Sequence, residues 1–300
     1  MSPIVGRTLV FVMGVPRSGT TWIEELIAQD PRTVSAHESH LFDEYLTSAA
    51  TAWWRRPKRR DGLPQFMGLE DYLAACRALT DRVFAHVAAK RPEAKVILEK
   101  TPNHLQHWRF ISMLYPDAWF VITVRDPRGV AASYRAARTW AQRWANLGVV
   151  AVARTWVQGM RAAREACEVH GRVVLVGYEK ALSDPVTTVR NLFQALGLPV
   201  DDDAAQAYVR ACQPEAMRQR HVAAGTNAGF VRTASAQGWR TELSRRRIKT
   251  IEAIAADEMR VFGYERVTTG RARLTRMADR AIQAFGRRAA GLVAWARGRL

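Results

Sequence analysis

Four stretches of the chain hold residue types that could do chemistry together. The first, GVPRSGTTW, runs from Gly14 to Trp22 and sets Pro16, Arg17, Ser18, Gly19, Thr20, Thr21 and Trp22 between an apolar run, Leu9 to Met13, and a helical pattern. A glycine-containing turn that feeds a helix start offers free backbone N–H groups and the positive end of the helix dipole, so this stretch reads as an anion cradle for a phosphate-like group. The second, RDPRGVAAS, places Arg125 directly after an apolar run and Ser133 eight residues later, spaced to converge on one anion. The third, SAHESHLFDEYL, crowds together Glu38, His40, Asp43 and Glu44; taken alone it is either a solvated helix start or a catalytic edge. The fourth, EKT, puts Glu99, Lys100 and Thr101 after a short apolar run, at the edge where open α/β sheets hold their ligands, which singles out Lys100.

The elements that must position these groups follow from periodicity and punctuation. Strands are expected over Leu9–Met13, Lys95–Leu98, WFVITV and Arg172–Val176. Helices are expected from Thr20 to Ala28, Leu69 to Ala89, about His104 to Leu114, from Asp126-Pro127 onward, in segments reaching Val169, from Asp184-Pro185 to a stop at Gly197, over roughly 203–212, and from Arg245 to a stop at Gly263. Residues 213–247 read as polar and largely irregular, and loops of that length are usually functional or disordered. The alternation predicts an α/β fold: three layers, a mostly parallel central sheet flanked by helices, like the P-loop nucleotide hydrolases. One domain is expected over residues 1–265, with a basic Trp/Arg insertion at 53–68 and a cofactor or acceptor loop region at 213–247, followed by a tail at 266–300.

GVPRSGTT fits the phosphate-loop pattern G-x-x-x-x-G-K-[ST] except at the lysine, whose slot is Thr20, while a cation stands at Arg17. An ATPase would also want a metal-holding acid at the end of the WFVITV strand. Asp126 is one residue off and is as well explained as the helix cap before Pro127. Both departures argue against a metal-dependent kinase or NTPase.

At this point the residues resemble the sulfotransferases that use 3′-phosphoadenosine 5′-phosphosulfate (PAPS). PRSGTTW is similar to that family's 5′-phosphosulfate loop, and RDPRGVAAS to its 3′-phosphate motif, with Arg125 and Ser133 as the implied ligands. By the same resemblance Trp22 and Tyr178 would line the adenine site. GFVRTASAQGWR looks like the C-terminal cofactor loop, with Arg232 kept but Thr233-Ala234 in place of its Lys-Gly pair. ESHLFD and EKTP resemble the corresponding segments of glycosaminoglycan-type and tyrosylprotein-type members, which makes Glu38 the implied base, with His40 beside it. The implied reaction is in-line sulfuryl transfer to a hydroxyl, with Arg17, Lys100 and the loop N–H groups stabilising charge, adenosine 3′,5′-bisphosphate (PAP) as product and no metal required.

The formal charge of +17 and the pI near 10.7 favour anionic partners, although an arginine- and alanine-rich composition is equally what a GC-rich genome yields. Trp53 and Trp54 stand beside Arg55, Arg56, Lys58, Arg59 and Arg60, either as an acceptor-facing or membrane-facing patch or as a solvated loop. Residues 269–300 carry eight arginines against one acid at helical spacing, leaving open a peripheral membrane contact, a partner contact or docking on the parent domain. Three scattered cysteines suggest neither zinc nor a disulfide framework, and no apolar run approaches a membrane span, so a cytoplasmic protein, with any membrane contact at the inner face, is expected. A basic nucleic-acid or membrane-surface module would explain the charge but not the two nucleotide motifs. The acceptor is expected to be a hydroxyl, with a saccharide or lipid-linked sugar, a small molecule and a tyrosyl side chain all consistent with a glutamate base; the basic insertion favours an acidic acceptor, and nucleic acid is disfavoured.

Overall fold

The computed structural model describes residues 4–49, 51, 62–227, 229–231 and 235–268, and for residues 142 and 143 the backbone alone. The basic run from Trp53 to Arg60, Arg232 and residues 269–300, all singled out above, lie outside the described residues.

Five strands form one wholly parallel sheet: β1 (Thr8–Gly14), β2 (Thr33–Ser35), β3 (Val96–Glu99), β4 (Trp119–Val124) and β5 (Val173–Gly177), in the order β2-β3-β1-β4-β5. Four of them fall where the apolar runs predict. The fifth, β2, has three residues, too few to show a period, and is held at the edge by register with β3. Because successive side chains of a strand point to opposite faces, the unbroken apolar run of β1 serves two cores at once. Phe11 and Met13 meet Phe84, Ile97, Ile111 and Phe120 on one face. Val10 and Val12 meet Ile23, Leu26, Val121 and Phe193 on the other.

The helices that close these layers are α1 (Thr20–Ala28), α2 (Leu69–Ala89), α3 (Trp108–Leu114), α4 (Pro127–Ala137), α5 (Val149–Val169), α6 (Tyr178–Ser183) and α7 (Pro185–Ala195), joined by α8 (Asp202–Ala211), α9 (Pro214–Ala223), α10 (Arg245–Ile254) and α11 (Ala256–Val261). The 213–247 region is less irregular than its composition suggests: α9 starts at Pro214 and buries little besides Met217, which is why no apolar stripe reveals it. The helix expected from His104 begins instead as a tighter 3₁₀ stretch, Pro102–His107, that turns the chain into α3. None of the described helices is long and apolar enough to cross a membrane.

All five strands run the same way, so every segment leaving a strand's carboxyl end emerges on one edge. Those segments are 15–19, 36–40, 100–104, 125–127 and 178–179, the stretches that hold the chemistry-bearing residues. The fold thus assembles the site from five loops far apart in sequence.

Candidate functional site

The cradle is shaped by what its glycines omit. A Cβ on Gly19 would lie 2.5 Å from the Tyr178 ring, and Gly19 has φ +102°, so both space and backbone exclude a side chain there. Gly14 is pressed as tightly, against Thr123 and Ser18. The Ser18 hydroxyl bonds the Thr123 hydroxyl at 2.5 Å and the residue is buried, so Ser18 fastens the turn to β4 and its side chain faces away from the cleft. In α1 the first helical bond runs from the Ile23 N–H to the Gly19 carbonyl, and no side chain caps the start. The N–H groups from Gly19 to Trp22 therefore have no acceptor in the helix, the condition for anion binding at a helix start.

Arg125 leaves the end of β4 and is clamped from two sides. Its Nη1 donates to the Arg17 carbonyl at 3.1 Å, and its guanidinium lies 4.1 Å from the Tyr178 ring centroid. Its Nε is buried and has no hydrogen-bond partner among the described residues. Trp22 meets Tyr178 edge to face at 5.9 Å. Ser133 sits on α4, whose start is capped by Asp126 accepting the Arg128 N–H. Both Asp126 oxygens also take the Arg128 guanidinium, which pairs in turn with Glu252 at 2.6 Å and lies 3.9 Å from the Trp239 ring. Asp126 is thereby committed to structure, not to a metal.

Arg17 turns toward Ser133. Its φ is +73°, and its Nε donates to the Ser133 hydroxyl at 3.0 Å while Nη2 donates to the Phe230 carbonyl. Trp140, Trp144 and Phe230 surround the guanidinium at 5.6 to 6.0 Å. Its charge is thus placed beside Ser133. Neither the motif spacing nor the composition announces this aromatic surround.

The other half of the cleft is the segment after β2. Glu38 Oε1 lies 2.5 Å from Lys100 Nζ, and Lys100 also donates to the Thr21 hydroxyl at 3.3 Å. One buried lysine therefore ties the cradle's helix to the glutamate. Glu38 Oε2 lies 3.4 Å from His40 Nε2, and His40 Nδ1 lies 3.2 Å from Asp43. Burial alone would raise the Asp43 carboxyl, but His104 and His40 outweigh it and hold its pKa down to about 2. The backbone here is strained: His37 and His40 have φ of +52° and +53°, and Leu41–Tyr45 winds as a π-helix. Non-glycine residues in the left-handed region cost on the order of 1–3 kcal/mol each and persist only where their surroundings enforce them. His37 pairs with the buried Glu24 of α1 at 2.8 Å, which supplies part of that enforcement.

Beneath the segment lies a group not selected from the sequence. Glu99, fully buried at the end of β3, accepts from the Ser39 N–H, the Ser39 hydroxyl and the Thr101 hydroxyl on one oxygen, and faces His104 Nδ1 at 2.8 Å with the other. The available signal was a glutamate closing a strand, VILE, that is buried at every position.

The two halves line one cleft of about 1320 Å³ containing Arg17, Gly19, Thr21, Glu38, Arg125 and Tyr178. It can hold a nucleotide-sized anion and a second molecule, with a carboxylate near the cradle to accept a proton.

Residues 10–202 match the model of the Sulfotransferase family. The nodulation protein NoeE of Sinorhizobium fredii is 24% identical over 86% of this chain and 66% of its own length. Carbohydrate sulfotransferase 2 of the mouse is 32% identical over 33% of this chain and 18% of its own length. The chain thus spans under two thirds of these relatives. Among solved structures, a mouse sulfotransferase complexed with PAP superposes with a TM-score of 0.53 at 15% identity, covering 84% of this chain and 85% of that one, which is a likeness of fold.

Proposed function

The chain belongs to the sulfotransferase family, and we propose that it moves a sulfuryl group from PAPS to an acceptor hydroxyl, with Glu38 as the base. The donor fits the residues present: a glycine cradle that a Cβ would fill, uncommitted N–H groups at the start of α1, and a buried arginine Nε with no partner among the described residues all favour an anionic nucleotide. PAPS brings an activated sulfuryl group and leaves as PAP.

Each residue's part follows from its position. The N–H groups from Gly19 to Trp22 hold the 5′ end, and Arg125 and Ser133 hold the 3′-phosphate. Arg17, whose guanidinium already meets Ser133, adds its charge on that same side. By resemblance Arg17, Lys100 and the loop N–H groups share the stabilisation of charge; toward the sulfuryl oxygens that part falls to Lys100, whose ammonium lies between Thr21 and Glu38. Glu38 takes the acceptor's proton as its oxygen bonds to sulfur, and the cations around the cradle stabilise the charge that gathers on the departing phosphate. Trp22 and Tyr178 flank the base. Arg232, by resemblance a further 3′-phosphate contact, is left to mutagenesis.

The acceptor we propose is a sugar hydroxyl. The similarity to a carbohydrate sulfotransferase supports it.

The observation that carries this reading is the single lysine joining cradle and carboxylate. Glu38→Gln is expected to cut turnover by about 10²-fold or more on general-base magnitudes while PAP still raises the melting temperature as in the wild type. Turnover near the wild-type level would remove Glu38 from the mechanism. Incubation with PAPS and a panel of saccharides, read by accurate mass for a sulfo group rather than isobaric phosphate, tests the acceptor class.

A further inference from the structure

The structure assigns a second task, the positioning of the base, to two residues that never face the cleft: Glu99 and His104. Both are fully buried, and neither is used in the transfer chemistry. A carboxylate buried this deeply is stabilised only by its hydrogen-bond donors, so where those donors come from tells what it holds.

They come largely from the segment that carries Glu38. The Ser39 N–H, next in the chain to Glu38, donates to Glu99 at 3.1 Å and the Ser39 hydroxyl donates at 2.6 Å. Thr101 donates its hydroxyl to the same oxygen at 2.7 Å, and its own oxygen accepts the His40 N–H at 3.2 Å. His104 carries the support further along: with Nδ1 toward Glu99, its Nε2 lies 3.1 Å from the Phe42 nitrogen and 3.5 Å from Asp43. Asp43 meets His40, and His40 meets Glu38. Glu99 thus reaches residues 39, 40 and 42 through one or two contacts each. These are the residues around the left-handed His40 and the π-helical turn, conformations the chain would not keep without such restraint.

Lys100 follows Glu99 directly, so the same strand end that anchors the segment also delivers the ammonium to Glu38. Base, cation and anchor are fixed in one frame, and a small misplacement of the carboxylate is enough to slow proton transfer severely. Glu99 and His104 are therefore positioning residues for Glu38.

This inference rests on the reading of Glu38 as the base, and its test separates the two. Glu99→Gln keeps the shape of the side chain but cannot accept from every donor around it. It is expected to lower kcat about 10- to 100-fold, leave the melting shift produced by PAP within about twofold of wild type, and be non-additive with Glu38→Gln, so that the double variant turns over no more slowly than Glu38→Gln alone. If Glu99→Gln folds and keeps kcat within about twofold, or if kcat and PAP affinity fall together, the positioning role is overturned. Full additivity with Glu38→Gln overturns it as well, since Glu99 would then act elsewhere. Should Glu38→Gln alone keep its turnover, it is the base that is wrong. Ser39→Ala, which removes one donor to Glu99 and leaves Glu99 and His104 themselves in place, is the milder form of the same test: a severalfold loss of kcat with unchanged PAP binding is expected, and no loss counts against the proposal.

Discussion

The cradle half and the carboxylate half of the cleft are built on opposite plans. The cradle from Gly14 to Trp22 uses regular elements, a strand and a helix, and takes its unusual backbone in the turn between them, at Gly19, where glycine permits it, and at Arg17. The segment from Ala36 to Tyr45 has no glycine, places two histidines at positive φ, and is held in that shape by side chains from β3 and α1. A phosphate is gripped by backbone N–H groups whose geometry is inherited from the helix. A general base must be a side chain, and its placement has to be enforced from outside. The difference predicts that damage to the first half appears in donor affinity and damage to the second in turnover.

The largest effect on the donor side is expected from Gly19→Ala. The new methyl would meet the Tyr178 ring at 2.5 Å with φ at +102°, and strain of ~3 kcal/mol corresponds to about a 10²-fold loss of PAP affinity. Calorimetric titration with PAP measures it, and kcat at saturating donor should stay within a fewfold of wild type. A kcat that collapses while affinity holds would break the division between the halves.

Next is Arg125→Ala. A charged hydrogen bond to phosphate is worth about 1.5–3 kcal/mol, so affinity for PAP should drop roughly 10- to 100-fold while affinity for adenosine 5′-phosphate, which has no 3′-phosphate, barely changes. Equal losses for the two nucleotides would mean that Arg125 only supports the Arg17 carbonyl and the Tyr178 ring.

The same contrast explains what could be read from the amino acids alone. Glycine spacing after an apolar run is a backbone instruction, so the cradle and α1 are visible in one dimension. The sheet was legible because β1, β3 and β4 are apolar at nearly every position, whereas three-residue β2 has no pattern to show. The arrangement of Glu38 was not visible. ESHLFDE reads equally as a solvated helix start, because what holds its shape is the contact with buried Glu99 and His104, some sixty residues further along. That long-range contact exists only once β2 and β3 are paired. Arg17 shows the same limit: its place in the loop is obvious, but its direction depends on Ser133 and Phe230, which come from two other parts of the chain.

The smallest effect sharpens the comparison by pH. Two histidines hold the Asp43 carboxyl at about 2, against an ordinary value of 3.8. A depressed carboxylate contributes stability that is fully present above its unfolded-state pKa and is lost as pH falls toward the folded value. The whole shift corresponds to about 2 kcal/mol, of which roughly 1 kcal/mol should disappear between about pH 5 and pH 3. His104 carries the opposite sign. Burial pulls its pKa down, but Glu99 and then Asp43 outweigh burial and hold it above the ordinary value, so its contribution is lost only as pH rises through that raised value. In the acid window His104 is protonated in both the folded and unfolded states and contributes no slope. Asp43→Asn should therefore lower stability at neutral pH yet flatten the acid limb, with a difference of a few degrees in melting midpoint between pH 5 and pH 3 relative to wild type. Arg125→Ala, on the donor side, should leave that limb parallel to wild type. If Asp43→Asn also ran parallel, the ionic links from His104 and His40 to Asp43 would contribute nothing to holding the segment, and its restraint would fall to the other contacts, those of Ser39 with Glu99 and of His40 with Thr101 among them.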